Sequence, residues 1–262
     1  MAKIALITGG TSGIGLQTAQ ALSAAGWTVY TLSRRGTGSE GMVHLAADVT
    51  YPAQVDAAVQ QVIAQQGQLD LVVNCAGFGI AGAVEFTDTD LARQLFDVNF
   101  FGMVQVNRAA LPHLRRSGGR IILVSSVAAV VPIPFQTYYS AAKAAMNSYT
   151  MALANECRSL GVSVCAVMPG DLATGFTAAR KTSLKGDDIY GGRIRRSVEK
   201  MEQDEAQGMD PAVIARRIAV LAEKRRVRPL YTVGAFYHVA CLLAKLLPCG
   251  VLNRLIGLLY SR

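Results

Sequence analysis

The sequence predicts an α/β chain: a doubly wound parallel sheet of about seven strands, helices on both faces, then an apolar helical extension. Three observations carry that prediction. Apolar runs alternate regularly with helix-period segments along 262 residues. A hydrophobic content of 51% suits strands buried on both faces. A glycine-rich turn, TGGTSGIG, directly follows the first apolar run.

The elements follow in order. KIALIT reads as a first strand, and a helix from about Gly13 to Ala25 is stopped by Gly26. WTVYTLS and MVHLAAD are strands two and three, a helix runs from Pro52 to about Gln66, and LDLVVNCAG is the fourth strand. Thr87-x-x-Asp90 reads as a capping box opening a long helix through Asn99 to about Leu114, followed by the strand RIILVSS. A second long helix, about Tyr138 to Leu160, ends at Gly161 and leads into VSVCAVMPG. Asp210-Pro211 gives a later helix a cap and an N1 proline, and PLYTVG is the final strand. No linker or repeat divides the chain. It reads as one domain, residues 1–234, with residues 235–262 as an extension of it.

Composition excludes several classes. The five cysteines, Cys75, Cys157, Cys165, Cys241 and Cys249, form no C-x-x-C pair, and histidines stand only at positions 44, 113 and 238, so no metal site is expected. Reduced buried thiols are the expected state. The net charge of +8 is scattered, without a basic helix interleaved with aromatics, so no nucleic-acid partner is expected. The opening MAKIALITGG enters the first strand without a signal segment, which reads as a cytoplasmic protein.

Gly9, Gly13 and Gly15 join a strand to a helix N-terminus, where unpaired N–H groups and a partial positive charge suit a pyrophosphate. Thr11, Ser12 and Ile14 fill the same loop. At the end of the second strand, where an acidic residue would meet a free ribose 2′-hydroxyl, the chain reads Ser33-Arg34-Arg35. Two guanidinium groups match a 2′-phosphate, so the cofactor expected is NADP(H). Asp48-Val49, after the third strand, stands where the chain would flank the adenine.

Tyr139 and Lys143 are four apart and therefore on one helix face. A cation one turn from a phenol stabilises the phenolate, lowers its pKa and suits proton transfer to or from an alcohol oxygen. Ser126 ends the strand RIILVSS, where a doubly wound sheet presents its active groups. Position alone leaves Ser125 as a competitor.

Taken together these motifs resemble those of the short-chain dehydrogenase/reductase family. The chain has the Thr8–Gly15 loop, Asn74-Cys75-Ala76-Gly77 where the family has N-N-A-G, Asn99 in DVNFFG, Ser126, Tyr139-x-x-x-Lys143, and Pro169-Gly170 followed by Thr174. The resemblance covers about residues 3 to 234, departs at Cys75, and implies a Rossmann-like fold. It favours Ser126, thirteen residues before the tyrosine, over Ser125. It implies that Tyr139 is the general acid or base, that Lys143 tunes it and bonds the nicotinamide ribose, and that Ser126 orients the substrate oxygen. It further implies a proton-relay water near Asn99, cofactor contacts from Asn74, Ala76 and Gly77, and a carboxamide held by Pro169, Gly170, Leu172 and Thr174. Association of family members through their two long helices, here about 90–114 and 138–160, implies a homodimer or homotetramer.

Two segments bear on the substrate. The charged insert of about residues 175–210, with Arg193, Arg195, Arg196 and Lys200, reads as a mobile lid. In the tail, Leu242, Leu243, Leu246, Leu247, Val251, Leu252, Leu255, Ile256 and Leu259 form two short amphipathic helices broken at Pro248-Cys249-Gly250. Packing on the domain or a partner, a lipophilic substrate wall and contact with a membrane surface all fit this pattern, whereas Lys245, Pro248, Asn253 and Arg254 interrupt a membrane span. The apolar tail resembles members acting on steroids, retinoids or lipid ketones. The leading expectation is therefore an NADP(H)-dependent oxidoreductase interconverting a lipophilic ketone or aldehyde and its alcohol. A 3-oxoacyl-thioester reductase and a catalytically idle NADP(H)-binding scaffold stand as alternatives.

Overall fold

The computed structural model describes residues 2–36 and 41–260. The last two residues of the expected extension thus lie outside the described residues. The chain opens with β1 (Ile4–Thr8), α1 (Gly13–Ala24), β2 (Thr28–Ser33), β3 (Met42–Ala46), α2 (Pro52–Gln66) and β4 (Leu71–Asn74). After the short strand β5 (Ile80–Ala81) come α3 (Thr89–Phe96), a π-helical turn at Asp97–Gly102, α4 (Met103–Ser117) and β6 (Arg120–Val124). Next are α5 (Thr137–Glu156), β7 (Ser163–Pro169), α6 (Phe176–Ala179), β8 (Lys181–Thr182) and α7 (Arg193–Ala206). The chain closes with α8 (Pro211–Glu223), β9 (Leu230–Val233), α9 (Ala235–Leu246) and α10 (Cys249–Tyr260).

Seven strands form one parallel sheet in the order β3-β2-β1-β4-β6-β7-β9. Alternate residues of each strand serve opposite faces. Ile4 and Leu6 join the core beneath α2, α4 and α5, with Val59, Leu114 and Met146. Ala5 and Ile7 join the core beneath α1 and α8, with Leu22, Ile214 and Ile218. This double burial explains the unbroken apolar strands. The chain order reverses between β1 and β4, and at that switch point the carboxyl ends of both strands open a crevice.

Three boundaries differ from expectation. Thr87 does not cap α3: its hydroxyl donates to Ala83 O at 2.8 Å, and Asp88 accepts from Asp90 N at 2.9 Å instead. A carboxylate one residue later is in reach of the free N–H groups, while Thr87 is still engaged with the preceding turn. The long helix expected from there is split by the π-helical turn, at which Asn99 grips Phe78. The tail breaks at Leu247-Pro248, so that Cys249 and Gly250 already open α10. Asp210, in contrast, caps α8 through Ala212 N at 2.8 Å as expected.

Candidate active site

The glycine loop is a packing solution as much as a ligand cradle. Gly9 has φ +65°, and a Cβ there would lie 3.0 Å from Ala76 N, because the β1 and β4 ends touch. The Thr8 hydroxyl locks that contact, accepting from Cys75 N and Ala76 N at 3.1 Å each. A Cβ on Gly15 would stand 2.2 Å from Gly9 O, so only glycine lets α1 enter so close to the turn. The first N–H groups of α1 have no partner within the helix, Ser12 supplies no side-chain cap, and the first turn carries no acidic residue. Ser12, Gly13, Ile14 and Gly15 line a cavity of about 410 Å³, so this helix end fits a phosphate-bearing cofactor.

Ser126, Tyr139 and Lys143 line the same cavity. Ser126 Oγ accepts from Ala128 N at 3.1 Å, which leaves its own proton free to be donated, and it meets the Tyr139 hydroxyl. Ser125 lines the cavity as well, but its hydroxyl is turned to Lys143 O, to which it donates at 3.3 Å. Lys143 Nζ donates to Val124 O at 2.8 Å and lies 5.5 Å from the centroid of the Tyr139 ring.

Burial governs the electrostatics. It brings Lys143 down to about 8, against the opposing pull of Cys75, and pushes the Cys75 thiol up to about 12. It also pushes the Tyr139 phenol upward, and the hydrogen bond from Ser126 only partly offsets this. Without bound cofactor the phenol is thus held up rather than lowered, since desolvation outweighs the hydrogen bond from Ser126.

The far end of the cavity comes from segments remote in sequence. Phe176 of α6 lies 5.6 Å from Tyr139 between ring centroids, and Phe236, Tyr237 and Ala240 of α9 with Leu259 and Tyr260 of α10 complete the lining. Tyr237 covers Gly170: a Cβ there would fall 2.1 Å from its ring. Its hydroxyl donates to Asp171 Oδ2 at 2.7 Å and accepts from Asp171 N at 3.0 Å. Below it, the buried Arg180 guanidinium pairs with both Glu205 oxygens at 2.9 Å.

Comparison with known proteins agrees with this geometry. The short chain dehydrogenase family profile matches residues 3–185. The chain belongs to that family. A 3-ketodihydrosphingosine reductase from Bacteroides thetaiotaomicron is 40% identical over 227 residues, spanning 85% of this chain and 84% of the relative. A short-chain dehydrogenase structure from Streptomyces avermitilis superposes with a TM-score of 0.82 at 29% identity, over 97% of this chain and 96% of that one. A 3-ketoacyl-(acyl-carrier-protein) reductase from Brucella melitensis, solved with NADH, gives 0.75 at 25% identity over 88% and 96%. This short-chain dehydrogenase is an oxidoreductase that uses a nicotinamide cofactor and acts on a small molecule.

Of the residues expected to bind cofactor, Gly9, Ser12, Gly13, Ile14, Gly15, Ala76, Gly77, Pro169, Gly170, Leu172 and Thr174 line the cavity of the dehydrogenase. The others stand apart. Thr11 Oγ1 meets Ser33 Oγ at 3.3 Å, Ser33 donates to Arg35 O at 2.6 Å, and Arg34 and Arg35 are exposed along the rim beyond β2. Asp48 Oδ1 is taken by Thr50, and Val49 is buried against Gly102. The Asn74 side-chain amide turns into the core and donates to Asn107 Oδ1 at 2.8 Å, because the last residue of β4 faces α4. Asn99 is also buried outside the cavity, its amide bridging Phe78 N and O at 2.9 Å each. Of the insert arginines, Arg195 pairs with Asp187 at 3.4 Å and Arg196 donates to Gly191 O at 3.0 Å, while Arg180, unremarked in the sequence, is the buried one. Leu259 carried a signal as part of the apolar tail pattern, whereas Phe236 and Tyr237 were not singled out.

Proposed function

We propose that the protein is an NADP(H)-dependent reductase of long-chain lipid ketones, working with Tyr139 as proton donor. One observation carries the reading: a single cavity joins Ser126, Tyr139 and Lys143 at the glycine-loop end to an apolar wall built by the tail. The relative named for reduction of a ketosphingoid base supports it. The nicotinamide cofactor supplies the hydride when bound. Tyr139 gives its proton to the carbonyl oxygen, Ser126 donates to the same oxygen, and burial keeps bulk water from competing. Lys143, brought near neutral pH by burial, returns the proton to the phenol and bonds the nicotinamide ribose. Asn99 holds the turn at Phe78 beside the site, Pro169 to Leu172 with Thr174 seat the carboxamide, and Asn74 acts by fixing β4 to α4.

Arg34 and Arg35 read the 2′-phosphate in this proposal, Asp48 and Val49 shape the adenine end, and the tail doubles as a peripheral contact with membrane. In the same reading the enzyme forms a homodimer or homotetramer through its two long helical segments, which the exposed Phe101 and Met151 support and light scattering reads directly. The test of function is NADPH and NADH consumption against lipid ketones, steroids, retinoids and oxoacyl thioesters. Turnover of a long-chain ketone with NADPH, lost in Tyr139→Phe, is the expected result. Turnover confined to thioesters, or full activity in the variant, sinks the reading.

A further inference from the structure

We propose that Gln136 and Asp171 form a polar head site beside the reacting carbonyl, one that selects long-chain ketones bearing an amino group next to that carbonyl. The inference rests on the reductase reading above and concerns what the substrate carries besides its ketone. Gln136 immediately precedes α5 and lines the cavity three residues before Tyr139. It is only 4% exposed, and its side-chain amide has no hydrogen-bond partner among the described residues. A buried amide left unmatched is costly, and one that faces a cavity is completed by whatever the cavity holds.

Asp171 is the second, independent observation. It lines the cavity next to Gly170, its carboxylate accepting from the Tyr237 hydroxyl at 2.7 Å. Among the described residues no Lys or Arg lies within ion-pair distance of it: Lys200 is engaged by Asp204 and Arg180 by Glu205. Glu205 also lines the cavity, but its charge is already matched. A carboxylate without an ion-paired cation among the described residues, in a largely apolar cavity, favours a cationic ligand. Its field reaches Tyr139, so a cation bound there lies close to the reacting oxygen. Beside these polar groups the lining carries Val131, Ile133, Phe176, Phe236 and Leu259, available to a hydrocarbon chain. An ammonium donating to Asp171, with an amine or hydroxyl hydrogen donated to the Gln136 carbonyl oxygen, satisfies both groups. Long-chain α-amino ketones have that chemistry, and the ketosphingoid base in the relative's name belongs to the class.

The test has two arms on the full chain. Calorimetry compares dodecylamine with dodecanol below their micellar concentrations, in wild type, Asp171→Asn and Gln136→Leu. Wild type is expected to prefer the amine by about tenfold or more, with the preference lost in Asp171→Asn and reduced several-fold in Gln136→Leu. Equal affinity for amine and alcohol, or a preference untouched by Asp171→Asn, overturns the head site. The second arm takes the ratio of kcat/KM for a long-chain 2-amino ketone to that for its des-amino twin, with NADPH. That ratio is expected to fall about tenfold in Asp171→Asn. Reduction of both ketones with a ratio indifferent to the variant overturns the head site and leaves the reductase standing. Reduction of neither, with an amine preference that still depends on Asp171, removes the reductase and leaves the head site.

Discussion

Lys143 is a buried cation whose burden is measurable. Its folded-state value of about 8 lies below the ordinary 10.5, so between those values the unfolded chain holds more protons than the folded one. Stability attributable to this residue therefore rises with pH through that window, and the cost of burying its charge is largest below pH 8. Lys143→Met is expected to stabilise the cofactor-free protein by about 2 kcal/mol at pH 7, the transfer gain being offset in part by the lost bond to Val124 O. Urea melts at pH 7 and pH 10 check this: the gap between variant and wild type should narrow at the higher pH, and a widening gap contradicts it. For the reaction itself, Tyr139→Phe is expected to lower kcat at least ~100-fold without lowering Tm, because the ring stays packed on Phe176. Tyr139, Lys143 and the three loop glycines were legible because spacing alone puts them on one helix face or in one turn. The inward turn of the Asn74 side chain was not legible, because the side-chain direction at a strand end depends on which face packs there. Gln136 and Asp171 were not singled out, since only burial separates them from other glutamines and aspartates.

At the scale of elements, the insert between β7 and α8 is fastened in two places. β8 pairs with β5 through Ile80–Lys181 and Ala81–Thr182, and Arg180 locks to Glu205 of α7 while Thr177 donates to the same carboxylate at 2.5 Å. Removing one charge leaves the other buried and unpaired. Arg180→Met is expected to cost about 3–5 kcal/mol, with much of that recovered by Glu205→Gln in the same chain. Thermal melts of the two singles and the double decide it, and an additive double refutes the coupling. The sequence shows a charged lid here, yet which arginine turns inward depends on contacts between α6 and α7 that no local pattern encodes. The π-helical turn was illegible for a similar reason: Asp97–Gly102 looks helical by periodicity, and it is Asn99 reaching back to Phe78, with Gly102 packed tightly on Val49, that redirects it.

Across the whole molecule, the doubly wound parallel sheet with helices on both faces was the most legible feature, because each strand alternates its faces and each crossover must cover one of them. The tail belongs to two surfaces at once. Tyr237 and Leu259 line the cavity, while Phe236 at 77%, Leu246 at 71% and Leu259 at 66% exposure present apolar surface outward. Residues 235–260 carry Lys245 and Arg254 and no acidic residue. No helix among the described residues is long and apolar enough to cross a membrane, so the proposed contact is peripheral. Cosedimentation with phosphatidylglycerol vesicles should retain the protein at low salt, less so at high salt, and little of Phe236→Asp/Leu246→Asp; equal retention of variant and wild type refutes the contact.

The parallel sheet also sets a clock. Every neighbouring pair in it is parallel, and β1 must find β4 across the intervening strands and helices before either end of the crevice exists. Such pairings close long loops before contacts reward them, which places refolding at milliseconds to seconds or slower. Catalytic competence is expected to be the last property to return, since Ser126, Tyr139 and the glycine loop stand on elements that meet only when the centre of the sheet is complete.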